Sequence, residues 1–252
     1  MTDDVHQGKV AVVTGGGRGF GKAFGTALAA RGAHVVLADI DGAAAGAAAA
    51  EIAGQGGSAS GAACDVADEG SVATVVDEVL AQHGGIDILV NNAGLHSAAY
   101  NKPSSELGIA RLRRLFDVNL MGVYICSLAV LPAMRGREGA AIVNISSSAA
   151  YANRAAYGVS KLAVRGVTVQ LAREFAADGI RVNAIAPGLI FTDTIRTEMP
   201  RDEVARVMGQ QILHREGEER DIVDALLFLV SPEASFVTGE TLRVTGGFAL
   251  SV

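Results

Sequence analysis

The stretch Thr14-Gly15-Gly16-Gly17-Arg18-Gly19-Phe20-Gly21 decides how the rest of the chain is read. It follows an apolar run, KVAVVT at 9–14, and leads into a segment of helical composition. Glycines at such a junction permit a tight turn. They also let backbone approach a pyrophosphate, whose charge then rests at the helix N-terminus. A glycine cluster alone fits an ordinary turn equally well. This one gains meaning from an acid, Asp39, 24 residues after Gly15 and at the end of the next apolar run. A carboxylate there accepts hydrogen bonds from adenosine ribose hydroxyls and repels a 2′-phosphate, which favours NAD over NADP. Arg18 argues the other way, since a guanidinium pairs with a 2′-phosphate. Ile40, next after the acid, offers no second cation, and the helix N-cap role suits Asp41 better than Asp39.

Outward from the loop, short apolar runs alternate with helical stretches: 9–14, 34–39, 58–64, 86–91, 140–146, 180–186 and 241–245. That rhythm implies βαβ units and an α/β fold with one doubly wound, mainly parallel, seven-stranded sheet, covered by helices on both faces. The runs at 34–39 and 86–91 are nearly all apolar, as strands buried on both faces are. DGAAAGAAAAEIAG at 41–54 reads as an Ala-rich covering helix. With no linker or repeat, residues 1–252 read as a single Rossmann-type domain. The irregular section 190–216 reads as a substrate loop or lid.

Composition narrows the function. Half of the 252 residues are hydrophobic and the net charge is -6, which opposes a strong electrostatic hold on nucleic acid or anionic membrane. No apolar run approaches the roughly 20 residues that span a bilayer, and the N-terminus lacks the order of a signal peptide. Cys64 and Cys126 form no CxxC pair, and the five histidines show no metal-ligand spacing. No metal site is expected, and a reducing cytoplasm fits.

TGGGRGFG (14–21), NNAG (91–94), Asn119 in FDVNL, Tyr157-Gly-Val-Ser-Lys161 and Pro187-Gly188 resemble, in order, the motifs of the classical short-chain dehydrogenase/reductase family. The resemblance spans essentially the whole chain. It implies a nicotinamide-dependent oxidoreductase that moves a hydride between a secondary alcohol or ketone and NAD(H).

Tyr157 and Lys161 lie four apart and so share one helix face. A free tyrosine, with a pKa of about 10, is a poor base near neutrality. A neighbouring ammonium lowers it, and about 2 units require about 2.7 kcal/mol of differential interaction, which a close, partly desolvated cation and the nicotinamide charge together supply. Tyr157 would then take the alcohol proton as hydride leaves. The resemblance adds that Lys161 holds the nicotinamide ribose and that Asn119 anchors a water in the proton relay. It also calls for a serine that polarises the substrate oxygen. Counting back the family's usual distance from Tyr157 lands on Asn144, at the strand's end. Anchoring on the strand instead selects Ser147, ten residues before Tyr157, with Ser146 and Ser148 as alternatives. The connection is then about three residues short.

For the cofactor, the resemblance assigns Gly15, Gly17, Arg18, Gly19, Phe20 and Gly21 to the pyrophosphate loop, and Asp39 and Ile40 to the ribose end. It assigns Asp65, Val66 and Val118 to the adenine. Asn91, Ala93 and Gly94 cap the adenosine side. Pro187, Gly188, Ile190 and Thr192 join Tyr157 and Lys161 around the nicotinamide. His96, Tyr151, Leu189, Phe191 and Met199 are candidates for the substrate pocket by position. The helix at about 155–178, apolar on more than one face, suggests a homo-oligomer, in that family typically a tetramer. An NADPH-dependent carbonyl or 3-oxoacyl thioester reductase is the alternative reading. A non-catalytic cofactor sensor is a third, opposed by the intact proton-relay residues.

Overall fold

The structure, a computed structural model, describes residues 5–250 other than 97, 98, 101, 153, 154, 193–195, 197, 198 and 200. Seven parallel strands form one sheet: β1 (Val10–Thr14), β2 (His34–Asp39), β3 (Ser58–Ala63), β4 (Ile88–Asn91), β5 (Ala141–Ile145), β6 (Arg181–Pro187) and β7 (Thr241–Val244). Their order is β3-β2-β1-β4-β5-β6-β7. The chain winds one way from β1 to β3, then returns to the other side of β1 for β4. Beyond the carboxyl ends of the strands this reversal opens a crevice, where doubly wound sheets hold their ligands.

Alternation along each strand builds two cores. Val10, Val12, Val36, Leu89, Ile142 and Val182 face α3 (Glu69–His83), α5 (Gly122–Met134) and α7 (Ala156–Glu174). Ala11, Val13, Val35, Leu37, Val90 and Val143 face α1 (Gly19–Ala29), α2 (Gly42–Gly54) and the helix Glu219–Val230, here α9. The Ala-rich segment is α2. Ala45, Ala48, Ala49 and Ile52 form its buried stripe, and Asp41 caps it through the Ala44 N–H at 3.0 Å. A Cβ added at Gly61 of β3 would lie 2.5 Å from Gly46 N, so small residues set how closely α2 packs.

Strand ends differ from the sequence reading by at most two residues, and β2 matches it at both ends. The helix expected at 155–178 ends at Glu174 and continues as a 3₁₀ turn, Ala176–Asp178. One expectation needs correction. Helix α4 (Ser104–Phe116), a π-helical turn (Asp117–Met121) and α5 run on as a 31-residue stretch that is long and apolar enough to cross a membrane by length and composition. The apolarity has a use within the fold, since Leu115, Val123, Cys126, Val130 and Met134 are buried. The expected lid contains α8 (Arg201–Met208), and a parallel bridge ties Ile190 to Gly217.

At the opposite end of the sheet from the crevice, Asp87 joins three segments. Its carboxylate accepts from Val10 N at 2.8 Å and, bidentately, from Arg137 Nε at 2.9 Å and Nη2 at 2.7 Å. Burial alone would raise its pKa, but the Arg137 and Val10 donors, with Lys9 nearby, hold it below the ordinary carboxylate value. The stabilisation is therefore complete above the unfolded-state pKa of about 3.9 and is lost as pH falls through the lower folded value. Asp87→Ala should cost about 3 kcal/mol in urea unfolding at pH 7, and the difference from wild type should shrink below about pH 4.

Candidate functional site

A cleft of about 590 Å³ lies in the crevice. Its floor is the glycine loop. Gly15 is left-handed at φ +62°, and a Cβ there would come within 2.9 Å of Ala93 Cα. A Cβ on Gly21 would lie 1.9 Å from Gly15 O, so loop and helix meet at a distance only glycine permits. Asn92 fastens the loop from β4: its Nδ2 donates to Thr14 O at 2.9 Å and Gly15 O at 3.0 Å. Its N–H and that of Ala93 donate to Thr14 Oγ1. Gly19, at φ +52°, has open space where a side chain would begin. Arg18, the α1 N-cap, makes no side-chain capping bond, and Arg18, Gly19 and Phe20 line the cleft, so the uncapped start of α1 borders it.

At one end stand Asp39 and Ile40, the latter 68% exposed. Asp39 Oδ2 accepts from Gly17 N at 2.9 Å and Oδ1 from Asp41 N at 3.0 Å. Two bonds leave lone pairs on the carboxylate for further donors. Asp65, Val66 and Val118 line the same end, where Asp65 pairs with Arg114 at 3.1 Å. Burial opposes ionisation of Asp65, but the Ala67 N–H and Arg114 hold its carboxyl below the ordinary value.

Tyr157, Lys161 and Ser147 line the other end, with Gly94, Pro187, Gly188, Ile190 and Thr192. Tyr157 and Lys161 are 7% and 5% exposed. Lys161 Nζ donates to Ile145 O at 2.8 Å and lies 6.0 Å from the Tyr157 ring centre. Burial pushes the Tyr157 phenol up to about 12, while a hydrogen bond with Ser147 pulls it back. Burial brings Lys161 down to about 8. Water is excluded from both groups and Nζ is held on a carbonyl, and the expected lowering of Tyr157 calls on the nicotinamide charge as well as the ammonium. A low phenol pKa requires charge beyond these side chains.

Among the three serines, the geometry separates the candidates. Ser146 is buried and its Oγ donates to Lys161 O at 2.8 Å. Ser148 is not among the cleft residues, and its N–H donates to Pro187 O at 2.8 Å. Ser147 both lines the cleft and meets Tyr157.

Other expectations shift. Asn91 does not face the cleft: it is 4% exposed, and its Nδ2 donates inward to Ser127 Oγ at 3.0 Å and Asn144 Oδ1 at 2.8 Å. Strand alternation turns it inward and gives the loop-facing position to Asn92. Gly17 and Gly21 shape the loop from inside rather than lining the cleft. Asn119 is fully buried in the π-helical turn, with Oδ1 accepting from Leu95 N at 2.7 Å and Nδ2 donating to Ser160 Oγ at 3.1 Å. Its side chain braces the segment after NNAG and is not among those that line the cleft. His96 lines the cleft edge-on to Tyr157, with ring centres 4.8 Å apart. Leu189 lines a second cavity beside β7, while Tyr151, Phe191 and Met199 line neither. Asn92, Arg114 and Leu95 were missed. Asn92 had a signal in the doublet NNAG, whereas a cation on α4 meeting Asp65 has no local pattern.

A doubly wound sheet, a glycine loop fastened beneath a long cleft and a buried Tyr-Lys pair at the cleft's end define a dinucleotide-binding type of oxidoreductase. The residues fit such a group. Three strand spacings separate β2, which carries Asp39, from β5, about 14 Å across the sheet. Residues 15–249 match the family described as enoyl-(acyl carrier protein) reductase. Cis-4-hydroxycyclohexanecarboxylate dehydrogenase of Sinomonas cyclohexanicum is 39% identical over 244 residues, covering 95% of this chain and 96% of that one. The 3-oxoacyl-[acyl-carrier-protein] reductase of Vibrio cholerae is 36% identical over 255 residues, covering 96% and 97%. A 7α-hydroxysteroid dehydrogenase solved with NADH and 7-oxo glycochenodeoxycholic acid superposes with a TM-score of 0.91 at 34% identity, covering 98% and 97%. The chain belongs to the classical short-chain dehydrogenase/reductase family.

Gly21→Ala should force the loop from its α1 junction at a cost of about 1–3 kcal/mol. By fluorescence titration, affinity for a reduced nicotinamide dinucleotide should fall about tenfold or more, with the far-UV circular dichroism unchanged.

Proposed function

We propose that the protein oxidises a secondary alcohol with NAD, or reduces the corresponding ketone with NADH. The observation that carries this reading is the meeting of Tyr157, Ser147 and Lys161 at one end of the cleft, with Asp39 at the other. Ser147 holds the substrate oxygen, and Tyr157 takes the hydroxyl proton as the carbon–oxygen double bond forms. Lys161 orients the nicotinamide ribose, and Ile190 and Thr192 the carboxamide. The nicotinamide, when bound, accepts the hydride and brings the positive charge that favours the phenolate. The relatives named for a hydroxycyclohexane carboxylate and for a hydroxysteroid both act on ring alcohols by those names, and a secondary hydroxyl on a carbocycle is the substrate class we favour.

Val159, Leu162 and Val169 on α7 and Leu128 on α5 are exposed apolar residues, through which copies of the chain would associate. The free, buried Cys64 and Cys126 suit a reducing cytoplasm.

A second reading is an NADPH-dependent reductase of 3-oxoacyl thioesters. Arg18 lines the cleft, and the Vibrio relative is named for reduction of a 3-oxoacyl carrier-protein substrate. Parallel fluorescence titrations decide between them. The first reading predicts tighter binding of NADH than NADPH. Asp39→Ala should shift the ratio of the two dissociation constants roughly tenfold or more towards NADPH, because a facing like charge is removed. Wild-type preference for NADPH would establish the second.

A further inference from the structure

The connection from Ser147 to Tyr157 is short, and among its described residues is a single helical turn, α6 (Ala149–Ala152). One turn is marginal on its own, because helix nucleation fixes several residues for one hydrogen bond. Yet the orientation of Ser147 depends on it: Ser147 Oγ accepts from Ala149 N at 3.1 Å, and Ala150 N donates to Ser147 O at 3.0 Å. Something outside the turn must keep it wound.

Tyr151 supplies a hold. Two guanidinium groups lie over its ring, Arg165 Cζ at 4.1 Å and Arg243 Cζ at 5.0 Å from the ring centre. Arg165 stands on α7 four residues beyond Lys161, and Arg243 on β7, where its Nη1 also donates to Ala249 O at 3.2 Å. Arginine over an aromatic face is attracted by the ring quadrupole, more strongly where water is excluded. Arg165 Nε is buried without a hydrogen-bond partner, so the ring is a principal contact for that guanidinium. The stack therefore connects the serine turn to the helix that carries Tyr157 and to the edge of the sheet.

We propose that Tyr151 is a positioning residue: its ring, held by Arg165 and Arg243, keeps the turn 147–152 wound so that the Ser147 hydroxyl faces Tyr157. The proposal rests on the reading that Ser147 and Tyr157 act together. It concerns the ring and not the phenol hydroxyl, and the two can be separated. Among the described residues, Lys161 on α7 and His96 after β4 are titratable groups beside Tyr157, and Tyr151 replaces neither.

The test is steady-state oxidation of cis-4-hydroxycyclohexanecarboxylate with NAD across pH. It compares wild type with Tyr151→Phe, Tyr151→Leu and Arg165→Met, using Ser147→Ala and Tyr157→Phe as references. Tyr151→Leu and Arg165→Met should lose roughly 10- to 100-fold in kcat, as misplaced groups do, with NADH affinity unchanged. The kcat limb that Tyr157 controls should move to higher pH, towards that of Ser147→Ala, because the Ser147 hydrogen bond no longer favours the phenolate. Tyr151→Phe, which keeps the ring, should behave as wild type. Wild-type kcat and pH profile in Tyr151→Leu, or an equal loss in Tyr151→Phe, would overturn the proposal. Should Tyr151→Leu fail to fold, Arg165→Met decides the question in the same way, since it leaves the ring in place. Undiminished turnover in Tyr157→Phe would instead sink the reading of the site itself.

Discussion

A buried ammonium on a strand-end carbonyl organises this protein. Lys161 Nζ meets Ile145 O at 2.8 Å, and Ser146 Oγ returns a bond to Lys161 O, so helix α7 is stitched to the end of β5 in both directions. Burying a cation with few partners is costly, and here the cost appears as the lowered pKa of Lys161. The arrangement fixes Tyr157 one turn earlier on the same helix face. Ser147, immediately after Ser146, is thereby set against it.

Beneath the site runs a buried polar chain that holds the same elements together. Asn91 on β4 donates to Asn144 on β5, whose Nδ2 donates to Thr168 on α7 at 3.0 Å. Asn119 ties α7 through Ser160 to the segment after NNAG. Such networks rigidify a core when satisfied and are expensive when broken. Asn91 Oδ1 is left without a protein partner, a small residual cost within an otherwise closed set. These amides hold the floor rigid while the side chains that face the cleft stay few.

The fold was legible because its signals are local and repeated. Seven apolar runs with helical composition between them demand a parallel sheet, and the glycine loop with Asp39 locates the crevice. The site was less completely legible. Asn91 and Asn92 look alike in sequence, and only the pleat of β4 decides which enters the core. The serine could be narrowed to three neighbours, but their hydrogen bonds follow from how the strand end meets α7. Arg114 and Arg243 carry no motif because their partners are brought by topology. Sequence spacing likewise shows which charge stands near Tyr157, but not how much water the phenol and the ammonium have lost.

The central claim is that Tyr157 exchanges the proton while hydride passes between carbinol carbon and nicotinamide. Its most direct test follows deuterium from the carbinol carbon of a deuterated cyclic secondary alcohol that the protein turns over, in wild type and in Tyr157→Phe. The account predicts one deuterium per turnover on the nicotinamide in wild type and no measurable transfer in Tyr157→Phe, although NADH still binds. Deuterium transfer at the wild-type rate in Tyr157→Phe, or turnover that leaves the label off the nicotinamide, would contradict it.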